Sequence, residues 1–141
     1  EARRAYIDAD AGILCAAVAD FTPDHTADHK IKRGKDGMTI QLKPTKDIAA
    51  SLGATKKEGQ VLVGFALETN DEQQNAKGKL ERKNFDFIVL NSLNDKGAGF
   101  RVDTNKISII DRQDTTSYPL KNKSEVAKDI IDRLVQTLNK N

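Results

Sequence analysis

Three apolar runs without hydrophobic alternation constrain the fold of this chain more than any other feature. They are AGILCAAV at residues 11–18, QVLVGFA at 60–66 and FDFIVLN at 85–91. Short runs of this kind are typical of strands that are covered on both faces, as in a parallel sheet. A fourth strand is predicted at 105–112, where Ile107, Ile109 and Ile110 supply the apolar side chains.

Helical segments alternate with these strands. The opening EARRAY resembles the end of a helix, and a second helix is predicted from Thr45 as N-cap to Gly53. A capping box at 69–72 predicts a third helix that runs to about Arg82. The last helix opens at Asn122 or Ser124 and has an apolar stripe at helical spacing, formed by Val126, Ile130, Leu134 and Leu138. This order predicts an α/β fold with three layers, a Rossmann-like, mostly parallel sheet and right-handed crossovers.

Residues 30–43, KIKRGKDGMTIQLK, interrupt this alternation. Two short arms flank 34–37, which predicts a hairpin with a loose turn. We interpret 22–43 as a hairpin lid within one domain that spans 1–141. The charges of Lys30, Lys32 and Arg33 either protect an exposed strand edge or deliver a cation to a phosphate.

Length and composition limit the class of protein. The 141 residues suit one domain, and the formal charge of +2 is too weak to indicate nucleic-acid binding. No apolar run approaches 18 residues, so we expect no membrane span, and the charged first residues do not resemble a signal peptide. Cys15 is the single cysteine, which we expect to be a small buried hydrophobe in a cytosolic protein.

Polar residues follow the predicted strands directly. Ligands of such folds gather in the crevice beyond the carboxyl ends of the strands, which here carry Ala17, Asp20, Phe21, Phe65, Glu68, Thr69, Asn70, Asn91, Ser92, Asn94 and Asp95. The pattern predicts where a ligand binds and not which ligand it is. Asp20 itself is either a turn residue before Pro23 or a carboxylate that accepts a hydrogen bond from a ligand.

Two basic side chains, Lys79 and Lys83, share one face if their segment is helical. They either complement the negative end of the helix dipole or clamp a triphosphate. Simple geometry opposes the clamp, since a crossover helix ends at the edge of the sheet opposite the strand tips.

The two histidines, His25 and His29, lie four residues apart near three aspartates. A metal site is conceivable there, but we interpret both as exposed lid residues because zinc sites need more fixed ligands. The sequence contains no Ser-His-Asp, CxxC or P-loop signature, so the residues alone assign no chemistry.

The motifs AAVADF, KIKR, KDIA, GFALETN, KLERKNFDFIVLN and DTNKISII occur in this order along the chain. In this order they resemble phosphopantothenoylcysteine synthetase, the C-terminal half of a bifunctional bacterial protein whose other half is a flavin-dependent decarboxylase. The resemblance covers nearly the whole chain from Ala11 onward. It implies a cytosolic homodimer that works in coenzyme A biosynthesis.

The resemblance implies a CTP-dependent ligation of 4′-phosphopantothenate with L-cysteine. A phosphopantothenoyl-cytidylate forms first and pyrophosphate leaves; cysteine then attacks the acyl carbon and CMP departs. Mg²⁺ or Mn²⁺ is expected with CTP, although its protein ligands are unknown. FMN is not expected in this segment, because in the family it belongs to the decarboxylase half.

Residue roles follow from the matching motifs. The resemblance implies that Ala16, Ala17 and Asp20 contact substrate, that Asp20 also contacts the nucleotide, and that Lys30 is a catalytic lid lysine near the nucleotide. It further implies a cytidine nucleotide site formed by Lys46, Asp47, Ile48, Ala49, Phe65, Lys79 and Lys83. This favours the clamp, so we expect the helix to break or tilt near Gly78.

Two departures from the family pattern affect these expectations. Many members have Asn-Pro-Asp-Ile where this chain has Thr45-Lys46-Asp47-Ile48. The family's N-terminal Gly-rich segment, with an asparagine that handles the acyl-cytidylate and part of the dimer contact, has no counterpart. We therefore expect a C-terminal portion that lacks the N-terminal part of the fold and is inactive alone. The alternatives are a non-catalytic nucleotide-binding module and a nicotinamide oxidoreductase, and the second would need a glycine fingerprint that is not here.

Overall fold

The computed structural model describes residues 1–33, 37–92 and 102–140, which form two compact units. The sheet unit consists of Glu1–Cys15 and Ile48–Asn141, and the ribbon unit consists of Ala16–Asp47. Each is described by itself below.

Four helices and nine strands make up the described chain. The helices are α1 (Ala2–Tyr6), α2 (Ile48–Gly53), α3 (Glu72–Arg82) and α4 (Lys123–Leu138). The strands are β1 (Ala11–Leu14), β2 (Phe21–Pro23), β3 (Leu42–Pro44), β4 (Val61–Glu68), β5 (Phe87–Ser92), β6 (Thr104–Asn105), β7 (Ile107–Asp111), β8 (Thr115–Ser117) and β9 (Lys121–Asn122).

The central sheet of the sheet unit has the strand order β1-β4-β5-β7-β8. β1, β4 and β5 are parallel, whereas β7 is antiparallel to β5 and β8 is antiparallel to β7. Four of these five strands therefore run in one direction, which confirms a mostly parallel sheet. The fourth predicted strand nevertheless runs in the opposite direction, since an antiparallel neighbour needs no crossover helix.

Two apolar clusters confirm the three layers. Even-numbered β4 residues such as Leu62 and Ala66 pack with Leu52 of α2 and Leu80 of α3 on one face. Odd-numbered β4 residues such as Val61 and Val63 pack on the other face against α4, whose Val126 and Ile130 are buried. Both faces of β4 are apolar because both are covered, which explains its continuous apolar sequence.

Helix boundaries depart from the predictions at two starts. α2 begins at Ile48, because the hydroxyl of Thr45 donates to the Ala19 carbonyl at 2.6 Å and does not cap a helix. α3 begins at Glu72 after Asp71, whose φ of 45° is left-handed, so the predicted capping box is wrong. α4 begins as predicted, with the backbone N–H of Asn122 bonded to the Glu125 carboxylate at 3.2 Å.

The expected break at Gly78 is also wrong, since α3 is continuous from Glu72 to Arg82. A Cβ added at Gly78 would meet the Arg82 guanidinium at 2.9 Å, which is the flexible end of a side chain. Nothing at this glycine therefore interrupts the helix.

The first predicted strand is shorter than its apolar run. β1 stops at Leu14, all four of its residues are half-buried, and β4 is its one neighbour in the described sheet. Cys15 comes directly after the strand and is exposed, so the prediction of a buried thiol is wrong. The apolar character of 15–18 does not reflect burial, because these residues lie beyond the last strand pair.

In the ribbon unit, β2 and β3 form an antiparallel pair with Phe21 opposite Pro44. The predicted arms around 34–37 are not strands over 30–33 and 37–41, and residues 34–36 lie outside the described part. The pairing therefore occurs nearer the ends of the unit than the sequence suggests. That 22–43 acts as a lid stays a prediction. None of the described helices is long and apolar enough to cross a membrane.

Candidate functional site

The carboxyl ends of β1, β4 and β5 lie at one edge of the sheet, which we call the carboxyl edge. Glu68 is the last residue of β4, and β5 ends at Ser92. α3 begins four residues after β4 ends, so its N-terminus is close to this edge. Crevices at such edges are where ligands of α/β proteins bind.

An ion pair joins α3 to the end of β4. The Lys79 ammonium lies 2.7 Å from Oε1 of Glu68, and the two side chains are 37% and 14% exposed. Oε1 is buried and receives no hydrogen bond of regular geometry from the described part of the chain, so Lys79 is its charge partner. A half-exposed ammonium is thereby held over a nearly buried carboxylate.

Helix geometry explains why Lys79 reaches the carboxyl edge. Side chains of an α-helix lean toward its N-terminus, which in α3 is the end near the carboxyl edge. Glu68 points to the same side of the sheet as Leu62 and Ala66, the side that α3 covers. The lysine can therefore reach this edge although α3 does not break.

Lys83 lies at the other end of α3, where it is the C-cap residue. Its carbonyl oxygen would be 1.9 Å from a Cβ added at Gly53, so the end of α2 packs against its backbone. The structure thus separates Lys83 from the Glu68–Lys79 pair by one helical turn. A clamp formed by both lysines stays a prediction.

The other predicted nucleotide residues of the sheet unit lie on different faces. Phe65 is partly buried against the cluster that α4 covers. Ala49 is partly buried against the opposite cluster, and Ile48 at the start of α2 is 37% exposed. Phe65 and Lys79 are therefore on opposite sides of β4.

A side-chain amide pair follows the third strand. Asn105 is buried, and its Nδ2 donates to Oδ1 of Asn91 at 3.1 Å. Its Oδ1 accepts the backbone N–H of Lys106 at 3.0 Å. Asn91 is thus fixed near the end of β5, whereas the predicted positions Asn94 and Asp95 lie outside the described residues.

In the ribbon unit, Thr45 connects two predicted site segments. Its backbone N–H donates to the Asp20 carbonyl at 2.9 Å, and its hydroxyl bonds to Ala19. Asp20 and Lys46 are consequently brought to the same end of the β2–β3 ribbon. This arrangement agrees with a shared ligand, although it does not identify one.

The remaining ribbon positions are exposed. They are Ala16, Ala17, Lys30 and Asp47. Exposure leaves Lys30 accessible to a ligand, which its predicted role requires, while a lysine on a charged edge would be equally exposed.

The histidines carry no metal-site geometry. His25 is exposed and lies 3.2 Å from the Asp24 carboxylate, and His29 is exposed as well. Residues 1–33, 37–92 and 102–140 contain no group of three His, Cys, Asp or Glu side chains that could hold a metal ion. The interpretation of both histidines as exposed residues is confirmed.

At the amino ends of the strands, Tyr6 is buried and its hydroxyl donates to the Val61 carbonyl at 3.3 Å. Burial, with a smaller contribution from the Asp86 charge, raises the pKa of Tyr6 to about 12. Asp86 also accepts from the Lys56 ammonium at 2.8 Å and from the Leu62 N–H at 2.6 Å. These polar groups stabilise the fold at the edge opposite the candidate site.

Sequence reasoning placed Glu68 at a strand tip but assigned it no role. The signal is a carboxylate that ends an apolar strand, eleven positions before a lysine. Its pairing depends on the rotation of α3, which the capping-box prediction started at the wrong residue.

Comparisons with known proteins agree on one family. Residues 1–138 match the family model described as the DNA/pantothenate metabolism flavoprotein C-terminal domain. A protein named cysteine/cysteine sulfinic acid decarboxylase, from an unknown prokaryotic organism, is 58% identical over 132 residues, or 93% of this chain and 37% of that protein. The coenzyme A biosynthesis bifunctional protein CoaBC of Bacillus subtilis (strain 168) is 45% identical over 130 residues, or 92% of this chain and 32% of that protein.

A solved structure extends the likeness to three dimensions. The crystal structure of the C-terminal domain of a coenzyme A biosynthesis bifunctional protein CoaBC has a TM-score of 0.77 and 31% sequence identity. The likeness covers 99% of this chain and 60% of that one. The chain spans about a third of the length of the two curated relatives, whose names describe the whole proteins.

Proposed function

Because the chain belongs to the DNA/pantothenate metabolism flavoprotein C-terminal domain family, we propose that it is part of a phosphopantothenate–cysteine ligase that uses CTP. The observation that carries this proposal is the 45% identity to the Bacillus subtilis coenzyme A biosynthesis protein over 92% of the chain. The accessible ammonium of Lys79 near the carboxyl edge supports an anionic ligand there.

The proposed reaction has two steps. The carboxylate of 4′-phosphopantothenate attacks the α-phosphorus of CTP, and the bond to pyrophosphate breaks. The amine of L-cysteine then attacks the acyl carbon of the phosphopantothenoyl-cytidylate, its proton is lost, and CMP leaves. Cations that neutralise the charge on the phosphates lower the barrier of such steps.

We assign the residues in two groups, one in each unit. In the ribbon unit, Ala16, Ala17 and Asp20 contact substrate, and Lys30 stabilises the charge of the acyl-transfer step. Nucleotide contacts are assigned in the ribbon unit to Asp20, Lys30, Lys46 and Asp47. In the sheet unit they are assigned to Ile48, Ala49, Phe65, Lys79 and Lys83. The exposure of Lys30 and the proximity of Asp20 and Thr45 support these roles.

Magnesium or manganese is proposed to accompany CTP. Mg²⁺ in nucleotide sites takes most of its ligands from phosphates and water, with one or two protein carboxylates. Asp20 is exposed and is a carboxylate that such an ion could use. We further propose a cytoplasmic homodimer, as the family resemblance implies. A decarboxylase domain in the same protein is proposed as well, and the name of the matched Bacillus subtilis relative as bifunctional supports a second domain.

A second candidate comes from the relative with 58% identity, which is named as a decarboxylase of cysteine and cysteine sulfinic acid. In that alternative the chain is a non-catalytic module of a protein whose chemistry is decarboxylation. The two candidates differ in a measurable product: the ligase releases pyrophosphate, whereas the decarboxylase releases carbon dioxide.

The test uses the protein as its gene encodes it. We expect steady-state pyrophosphate release that requires CTP, 4′-phosphopantothenate and L-cysteine together, and no more than a single turnover of pyrophosphate when cysteine is omitted. Release should be much slower when ATP replaces CTP. Carbon dioxide release from cysteine or cysteine sulfinate without any CTP-dependent pyrophosphate would overturn the ligase in favour of the second candidate. Calorimetric titration of the 141-residue chain with CTP and Mg²⁺, and with ATP in parallel, shows separately whether the chain binds the nucleotide.

A further inference from the structure

Among the described residues, the Glu68 carboxylate is the most deeply placed acidic group at the carboxyl edge, and it is not among the proposed substrate or nucleotide contacts. It is 14% exposed, and its Oε1 atom is buried with the Lys79 ammonium 2.7 Å away. A buried carboxylate without a cation is strongly unfavourable, so the pair resists separation.

We propose that Glu68 is the positioning residue of the nucleotide site: it fixes the Lys79 ammonium at the carboxyl edge so that the remaining donors face the triphosphate. This rests on the proposed CTP site. An ammonium has three N–H donors, and an ion pair with Glu68 on one side leaves the donors on the other side for phosphate oxygens. A lysine is a flexible point charge, and holding it in place before the ligand arrives lowers the entropy cost of binding.

The position of the pair in the fold supports this role. Glu68 ends a strand whose preceding residues are mostly buried, which makes it a rigid support. Lys79 lies within α3. Ala76 precedes it and Leu80 follows it in sequence, and both are packed in the core. The backbones that carry both side chains are therefore fixed, and only the 37% exposed lysine end faces outward.

A matched ion pair elsewhere in the sheet unit gives the control. Lys121 and Asp129 are also 2.7 Å apart, and their side chains are 29% and 19% exposed. This pair joins β9 to α4 and holds no residue of the proposed site. Neutralising Asp129 removes a similar interaction without touching Lys79.

The experiment measures CTP affinity in the protein as its gene encodes it, for the wild type, Glu68→Gln, Lys79→Ala and the double variant. We expect Glu68→Gln to raise the Kd of CTP about tenfold, as for the loss of one charge-assisted contact. The KM of cysteine should not change, and Asp129→Asn should leave the Kd of CTP at the wild-type value. In the Lys79→Ala background, Glu68→Gln should change the Kd less than about twofold, because Glu68 acts through Lys79.

The proposal would be overturned by an unchanged Kd of CTP in Glu68→Gln, or by an equal loss of affinity with and without Lys79. Tighter CTP binding in Glu68→Gln would also overturn the proposal, because Glu68 would then compete with the triphosphate for Lys79. If Glu68→Gln does not fold, Glu68→Asp replaces it in the experiment. This variant keeps the negative charge but moves it one methylene away from Lys79. It is expected to weaken CTP binding and to leave the KM of cysteine unchanged.

A second measurement separates this proposal from the proposed function. Acetylation of Lys79 in the ligand-free protein should become several-fold faster in Glu68→Gln, while the exposed Lys77 on the same helix keeps its rate. Faster acetylation with no CTP binding in the wild type would mean that the pair exists but the proposed function, and with it the positioning role, is wrong. CTP binding in the wild type with unchanged acetylation in Glu68→Gln would overturn the positioning role alone.

Discussion

Phe87 in the sheet unit is 1% exposed, whereas Phe21 in the ribbon unit is 58% exposed. The same contrast extends to the other large apolar side chains of the ribbon, since Ile31, Met38, Ile40 and Leu42 are also exposed. In the sheet unit, apolar residues of β4, β5 and β7 are covered on both faces. The first unit is therefore held by its own core, and the second has apolar side chains that its own fold does not cover.

The charged groups differ in the same way. Lys56 and Asp86 in the sheet unit are 12% and 16% exposed and lie 2.8 Å apart. Lys43 and Asp24 in the ribbon unit are 55% and 38% exposed and lie 3.4 Å apart. A side chain therefore contributes more to stability in the sheet unit, where it is more deeply buried, than in the ribbon unit. The proposed ligand-binding residues are found in both units.

The largest effect is expected from a matched pair of phenylalanine truncations. Phe87→Ala should lower the free energy of unfolding by about 3–5 kcal/mol, because it leaves a cavity in a closely packed core. Phe21→Ala should change it by less than about 0.5 kcal/mol, since the ring is already exposed. Urea denaturation followed by circular dichroism measures both. Equal losses in the two variants would contradict the distinction between the units.

A smaller difference is expected from two aspartates. Asp86→Ala removes the acceptor of the Lys56 ammonium and of the Leu62 N–H, and should cost about 3 kcal/mol because the lysine is left nearly buried without its partner. Asp24→Ala removes a pair that is more exposed and less closely spaced, and should cost less than about 1 kcal/mol. The comparison fails if high salt lowers the cost of Asp86→Ala as strongly as that of Asp24→Ala.

Much of the sheet unit could be predicted from sequence because burial leaves a pattern. The apolar runs at 60–66 and 85–91 become β4 and β5, and the stripe from Val126 to Leu138 faces the core on α4. The predictions are wrong where an apolar run extends past a strand, or where the direction of a strand depends on its neighbours. Cys15 continues an apolar run but lies past the end of β1, and the direction of β7 depends on its neighbours and not on its own residues.

The candidate site could be predicted less well, because its geometry depends on contacts between distant residues. Thr45 has the chemistry of an N-cap, yet its hydroxyl donates a hydrogen bond to a carbonyl 26 positions away. Lys79 and Lys83 appear equivalent in sequence, yet one pairs with Glu68 and the other caps the far end of α3. Few side chains of the ribbon are buried, so its sequence has no apolar pattern from which the paired strands could be located.

Exposure in the ribbon unit separates stability from activity at Lys30. Lys30→Ala should lower kcat of the proposed ligation by about 100-fold, as for the loss of one group that stabilises transition-state charge. The free energy of unfolding should not change, because the side chain is exposed. Lys32→Ala, two residues on in the same segment, is the control and should keep near-normal turnover. Near-normal turnover of Lys30→Ala in steady-state assays would remove the proposed role of this lysine.

Alkaline pH should act on the sheet unit through Tyr6. Its pKa is raised from 10.0 to about 12 mainly by burial, so the folded state holds the phenol proton more tightly than the unfolded state. The resulting stability is complete below pH 10 and is lost as the pH rises through about 12. The loss should be on the order of 2 kcal/mol and should be absent from Tyr6→Phe, which has no proton to release. Denaturation of both proteins below pH 10 and near pH 12 measures the difference, and parallel losses in the two would mean that exposed groups, including those of the ribbon, dominate alkaline unfolding.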